Sequence, residues 1–335
     1  MKKILLLLLI PLLFSGCFKL KKNDVKNELI HQLEKSSGYY LEGELEINHN
    51  EDVYHYDVEV YHKKDDYYHI NLFNQDNQFR QVLLKNPSGV YLYTPSLNKS
   101  FKFQSTWPYN HSQIYLLDAL INDIKNDKNC TIEEKKESFI LQTKVQYNNN
   151  SNLKRQKIVL DKNNLIKKVV VYDSNDQIVM EFNISKMKYS PKVDDDYFEL
   201  DTLVEKDDSP LEDLEKDVQE TSVLEDVIYP LFIPSGTKLI DEEKVLKDSG
   251  ERVIMTYDGE KSFLLVEETQ DVFHDFTVIP SSGEPYQLMD TIGVMTDNSL
   301  SWSSGGTDYY LVSDVMSQQE LVEIAQSIVG IPSMK

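Results

Sequence analysis

At 335 residues, with 56 acidic against 35 basic side chains, the chain carries a formal charge of −21 and a pI of about 4.7. Such a surface repels polyanions, which excludes nucleic-acid binding and electrostatic adsorption to anionic lipid. Two cysteines, Cys17 and Cys130, allow at most one disulfide, so stability has to come from packed cores, which a chain of this length forms as about two domains.

Residues 1–16 have the layout of a signal sequence: Lys2 and Lys3, an apolar run from Ile4 to Phe14, then Ser15 and Gly16 ahead of Cys17. The run of 11 residues falls short of the ~20 that span a bilayer as a helix. Phe14-Ser15-Gly16-Cys17 resembles a bacterial lipobox, with Phe14 where leucine is usual. The resemblance implies cleavage before Cys17 and a diacylglycerol on its sulfur. Residues 17 onward would then be lipid-anchored at the extracytoplasmic face of the cell membrane. Two acyl chains, at about 0.8 kcal/mol per buried methylene, hold a protein there; one chain is marginal. An acylated Cys17 leaves Cys130 without a disulfide partner in the chain.

After a polar tether over residues 18–26, Val25, Leu29, Ile30 and Leu33 recur at helical spacing. That predicts an amphipathic helix over 24–36 with Asp24 as its N-cap. The period then changes to two. Leu41, Gly43, Leu45 and Ile47 alternate with polar neighbours, as do Tyr54, Tyr56, Val58 and Val60. Strands are predicted next over 67–73, 79–84 and 90–94, separated by turn residues such as Asn86-Pro87-Ser88-Gly89. Residues 112–128 predict a second helix, capped by Asn110 or Ser112, and four more strands are expected over 139–147, 153–160, 165–172 and 178–189. Twenty tyrosines against two tryptophans agree with a sheet-rich fold. Roughly ten strands and two helices over residues 24–200 predict an antiparallel meander covered on one face by the helices.

From Asp201 to Asp226 eleven acids stand against Lys206 and Lys216. This stretch is expected to be a solvated linker (201–226), since it lacks EF-hand spacing for calcium. A small α+β domain is expected over 227–335. It has strands at 252–257, 262–268, 287–295, 299–303 and 309–312, and a hairpin at Asp258-Gly259. Its closing helix is capped by Ser317 with Glu320 in a capping box.

The block from Asn86 to Ser105, continuing through Trp107-Pro108-Tyr109-Asn110-His111-Ser112-Gln113, resembles the sporulation-associated lipoproteins of Bacillus-type bacteria that share the fold of the lipoprotein carrier LolA. Tyr61-His62-Lys63-Lys64 and Asp161-Lys162 fit the same pattern. The resemblance covers about residues 17–200. It implies a mainly β fold, a LolA-like incomplete antiparallel barrel lidded by helices, whose concave face can hold acyl chains. The tail resembles a domain of unknown function often appended to such proteins. A carrier must diffuse between membranes, so an anchor at Cys17 argues against shuttling and for local binding or scaffolding.

No G-x-S-x-G elbow, H-E-x-x-H pair or phosphate loop occurs. The Ser96-Lys99 and Ser185-Lys188 pairs lack the partner motifs of penicillin-binding enzymes. His49, His55, His62 and His69 fall on strands without metal-ligand spacing and are expected to face solvent. Cys130 has no evident activating base. No enzyme, metal or cofactor is therefore expected. Leu45, Ile47, Val58, Val60, Ile70, Leu72, Leu83, Tyr91 and Tyr93 have two readings. They form a plain core beneath the helices, or they line the acyl cavity that the resemblance implies. The two functions to weigh are an acyl-binding lipoprotein and an envelope scaffold that holds a partner protein through the sheet rim or the C-terminal domain.

Overall fold

The computed structural model describes residues 24–108, 112–147, 150–206, 224, 226–247 and 250–328. The signal sequence, Cys17, Asn110 and most of the acidic stretch lie outside the described residues. Helix α1 (Val25–Lys35) buries Val25, Leu29 and Leu33, as its spacing predicts. Asp24 does not cap it: its backbone is already helical (φ −94°, ψ −21°) and its side chain makes no cap bond.

Eleven strands follow before residue 190. They are β1 (Gly38–His49), β2 (Asp52–Lys63), β3 (Tyr67–Asn74), β4 (Phe79–Asn86), β5 (Gly89–Thr94), β6 (Lys99–Phe103), β7 (Thr131–Glu134), β8 (Ser138–Lys144), β9 (Leu153–Asp161), β10 (Ile166–Asp173) and β11 (Ile178–Tyr189). They form two antiparallel meanders, β1 to β6 and β7 to β11, joined where β1 pairs with β11. The sheet does not close on itself, because β6 and β7 stand at opposite ends of this run. At the β1–β11 seam the register shifts between Glu42 and Gly43. A Cβ on Gly43 would stand 2.2 Å from the Asn183 carbonyl oxygen, so the strands can approach this closely only at glycine.

Helix α2 (Leu117–Asn126) starts later than the sequence suggests. Ser112 does not cap it; its hydroxyl donates to Asp123 Oδ1 at 2.9 Å and accepts from the Gln146 N–H at 2.7 Å. Together α1 and α2 cover one face of the sheet, with Leu41, Val60, Ile70, Leu141 and Phe182 beneath them. A short helix, α3 (Leu200–Glu205), opens the acidic stretch. Its Leu200 and Leu203 pack with Phe198 on the opposite sheet face, against Val82, Leu84, Tyr91 and Tyr93. Two leucines three apart are enough to bury that turn, and the surrounding acids hide it from composition.

The remaining chain builds a second antiparallel sheet from β12 (Thr237–Lys247), β13 (Gly250–Gly259), β14 (Phe263–Thr269), β16 (Glu284–Gln287), β17 (Ile292–Met295), β18 (Ser299–Ser304) and β19 (Thr307–Val312), in the order β12-β13-β14-β19-β18-β17-β16. The expected β13–β14 hairpin forms, but Asp258 and Gly259 stay in β13, paired with Lys238 and Thr237 of β12, and the chain turns at Glu260 and Lys261. Gly259 has φ +148°, and a Cβ there would lie 2.0 Å from the Gly236 oxygen. Helix α4 (Gln318–Ser327) carries the full capping box of Ser317 and Glu320. It lays Leu321, Val322, Ile324 and Ala325 on Met255, Leu265, Leu300 and Leu311. Strand β12 is absent from the sequence prediction because its charged, exposed residues show no apolar alternation. The strand β15 (Thr277–Ser281) leaves this sheet altogether and pairs in parallel with β6 as the twelfth strand of the first.

Candidate functional site: a groove between the two sheets

Of the nine predicted cavity residues, Leu45, Ile47, Val58, Val60, Ile70, Leu72 and Leu83 share the helix-bearing face and are buried in its core. Tyr91 and Tyr93 do not. The register pairs Leu83 with Leu92, Tyr91 with Leu84 and Tyr93 with Val82. Side chains alternate along a strand, so both tyrosines point to the opposite face, where they pack with Phe198 and Leu200.

Around Leu45, Ile47, Ile70 and Leu72 the helix-bearing face is filled by the chain itself. Beyond α1 and α2, the segment 284–292 of the second sheet closes over it. Tyr56 Oη donates to the Met289 oxygen at 2.8 Å, and Asn74 Nδ2 to the Asp290 oxygen at 3.0 Å. Gln81 accepts from the Ile292 N–H at 2.6 Å and from the Thr291 hydroxyl at 3.2 Å, and donates to the Ile292 oxygen at 3.1 Å. Between Leu45, Ile47, Tyr115, Met180 and Leu288 a cavity of about 90 Å³ remains. Small-molecule sites usually occupy ~300–1,000 Å³.

A groove of about 420 Å³ runs between β5 and β6 of the first sheet and β13, β14, β18 and β19 of the second. Its apolar wall includes Leu92, Phe101, Ile254, Leu264, Val266 and Val294. Its polar groups are paired: Lys99 Nζ lies 3.2 Å from Asp308 Oδ2, which also accepts the Ser303 hydroxyl through its other oxygen, and Arg252 lies 2.5 Å from Glu268. Lys99 is only 5 % exposed, so this pair is largely desolvated and relies on its own geometry. The prediction missed these residues. A signal for them exists: β13 and β14 are apolar on both faces, with Ile254, Leu264 and Val266 backing Val253, Met255 and Leu265, and a strand greasy on both sides has a second packing surface.

The remaining candidates are placed as follows. His62 and His69 are buried, against the expectation that the strand histidines face solvent. His62 lies between Tyr39 and Tyr68, with ring centroids at 4.7 and 4.5 Å, and burial lowers its pKa. His69 stacks on Tyr197 at 4.3 Å on the other face, and burial pulls it down to about 4. Aromatic neighbours from the adjacent strands β1 and β3 and from the turn after β11 cover the rings, which the periodicity of one strand does not reveal. His55 is half-exposed beside Asp76. Among the described residues no group of three His, Cys, Asp or Glu is placed to hold a metal ion. Of the two serine-lysine pairs, Lys99 is committed to Asp308, and the Ser185 hydroxyl donates to the Glu42 oxygen at 3.0 Å. Burial raises the Cys130 thiol, the reverse of nucleophile activation. Desolvation acts to a similar extent on two carboxyls. Asp123, held by Ser112 and Gln156, and Glu267, held by the Ile228 N–H, are each pushed up to about 7 by desolvation.

The model for the family of the outer membrane lipoprotein carrier protein LolA matches residues 71–201, from β3 into α3. Over 327 residues the chain is 34% identical to the sporulation protein YdcC of Bacillus subtilis (strain 168), covering 96% of this chain and 95% of that protein. Among solved structures it is similar to the MucA/MucB complex of Pseudomonas aeruginosa, with 12% identity, a TM-score of 0.30, and 91% and 98% of the two chains covered. It is also similar to a LolA superfamily protein of Nitrosomonas europaea, with 11% identity, a TM-score of 0.29, and 54% and 99% covered. With an open, helix-covered antiparallel sheet and a relative that matches along nearly its whole length, this chain belongs to the LolA family, alongside the sporulation protein YdcC.

Proposed function

We propose that the protein is a non-enzymatic binding protein of the cell envelope, anchored through an acylated Cys17, that holds an extended segment of a partner protein in the groove between its sheets. Sporulation, named for the Bacillus subtilis relative, is the setting we assign to it. One observation carries this reading: beneath the helices, between Leu45, Tyr115 and Met180, the cavity measures about 90 Å³, whereas at the β5–β6 end of the same sheet face the inter-sheet groove offers about 420 Å³. An acyl chain asks for apolar walls alone. The groove also carries two ion pairs, Lys99–Asp308 and Arg252–Glu268, and the polar Ser301, a mixed lining of the kind that protein interfaces have.

An acyl ligand remains the second reading, because the groove's apolar wall and volume also suit a lipid tail. The two part in one experiment on the full chain. A photo-crosslinking residue replaces Tyr310, which lines the groove and is 43% exposed. Irradiated cells should yield a discrete protein adduct that disappears when Val266→Arg fills the groove. An adduct indifferent to Val266→Arg removes the groove from the function. Stoichiometric acyl chains in mass spectra of the purified protein, without a protein adduct, give the site to lipid instead.

A further inference from the structure

The edge of the first sheet at β6 is occupied by a segment whose hydrogen bonds to it are all made through the segment's main chain. Residues 273–281 cross from the second sheet and lie along β6 in parallel, from the pair Thr277–Lys99 to the pair Ser281–Phe103. Asn98 Nδ2 donates to the oxygens of both Phe273 and His274 at 3.1 Å. The Phe273 N–H donates to the Leu97 oxygen, the Thr277 N–H to the Asn98 oxygen, and the Gln104 N–H to the Ser281 oxygen. None of these contacts reads a side chain of the segment. No residue of β15 is fully buried, Val278 and Pro280 are exposed, and Phe276, edge-on to Tyr93 at 5.7 Å, supplies its one aromatic contact.

Beneath it the edge is well built: Ser100, Lys99 and Phe103 are all buried. Every other neighbouring pair in this sheet is antiparallel. Parallel pairing is slightly weaker per residue, and Pro280 contributes no ladder donor. A well-packed edge strand thus holds a weakly committed strand of its own length.

We infer that the β6 edge is a strand-addition site for an extended segment of a partner protein, held in this structure by the chain's own residues 273–281. The incoming strand replaces β15, pairs with β6 through main-chain hydrogen bonds, and sets an aromatic side chain against Tyr93 in place of Phe276. Recognition of this kind takes affinity from the ladder and selectivity from alternate side chains. The identity of the incoming chain rests on the partner-binding reading above; the site itself does not, since it is the hydrogen-bonding edge of β6, whereas the groove is lined by side chains of β6 facing the second sheet.

The test uses a fluorescein-labelled peptide with the sequence of residues 271–283, added to the full chain. Asn98→Gly removes the side-chain clamp while tolerating the left-handed backbone at that position (φ +49°), and Phe276→Ser removes the aromatic contact. The double variant should bind the peptide at least tenfold tighter than the unmodified chain, and should lose amide protection at residues 277–281. A peptide carrying Ile279→Pro, short of a donor in mid-strand, should bind at least tenfold more weakly. Adding Val266→Arg should leave peptide binding unchanged, which separates this site from the groove. Retained protection at 277–281 in the double variant, equal binding by the two proteins, or equal binding of the two peptides would overturn the inference.

Discussion

The helix-bearing face of the first sheet and the groove between the sheets are both walled by alternating apolar residues, yet they differ in what covers them. Beneath α1, α2 and the segment 284–292 the inward residues of the first sheet are packed, and the cavity between Leu45, Tyr115 and Met180 measures about 90 Å³. In the groove, Ile254, Leu264 and Val266 meet open space of about 420 Å³. Alternation specifies that a side chain leaves water, and says nothing about which atoms replace the water. The same pattern therefore serves a core and a receptor wall.

That contrast can be broken most sharply by truncation. Leu72→Ala, beneath the helices and 2% exposed, should cost about 2–5 kcal/mol by urea denaturation, as deletions in filled cores do. Leu264→Ala on the groove wall should cost about 1 kcal/mol or less, because its outer side already lacks packing partners. Equal losses at both positions would mean that the groove is as tightly packed as the core.

A second measurement compares the sheets through their desolvated acids. Glu267 in the second sheet has its carboxyl raised from an ordinary 4.5 to about 7 by desolvation. The folded state keeps this proton longer than the unfolded chain does, so its stabilising contribution is complete below pH 4.5 and is lost as pH rises through about 7. Glu267→Gln should flatten that part of the stability–pH curve. Asp123 in α2, also raised to about 7, should leave a residual slope of the same sign that Asp123→Asn removes. A curve rising between pH 4.5 and 7 in the single variants would contradict both assignments.

The joint between the sheets comes next. Gln81→Ala strips the partner from the Ile292 N–H and oxygen and from the Thr291 hydroxyl. Leaving such buried groups unpaired costs about 1–3 kcal/mol, and faster hydrogen exchange should concentrate at residues 289–292. A smaller effect than at Gln81 is expected at Ser317→Ala. It removes one half of the α4 capping box, costs about 0.5–2 kcal/mol, and should leave the first sheet's exchange untouched.

Legibility followed the strength of local pattern. Strands β1, β2 and β11 and helices α1 and α4 were readable because their periods persist over ten or more residues. Strand β12 was not, since its ladder with β13 stabilises a charged sequence with no period of its own. Tyr91 and Tyr93 were misplaced against Leu83 because the turn at Asn86 to Gly89 resets which parity faces inward, and that is a property of the β4–β5 register. His62 and His69 gave no sign of burial, as Tyr68 and Tyr197 arrive from a neighbouring strand and from beyond β11.

By itself the sequence determined the antiparallel meander, its helical cover, the acidic surface and the capped closing helix, because each is encoded by neighbours a few residues apart. Tertiary structure alone decided that residues 284–292 fill the sheet's helix-bearing face, that residues 277–281 complete its edge, and that a groove is left between the sheets. Those contacts join residues roughly 180 to 240 positions apart, and their hydrogen bonds end on main-chain atoms. Backbone groups are the same at every residue, so no side-chain pattern announces where they will be bound.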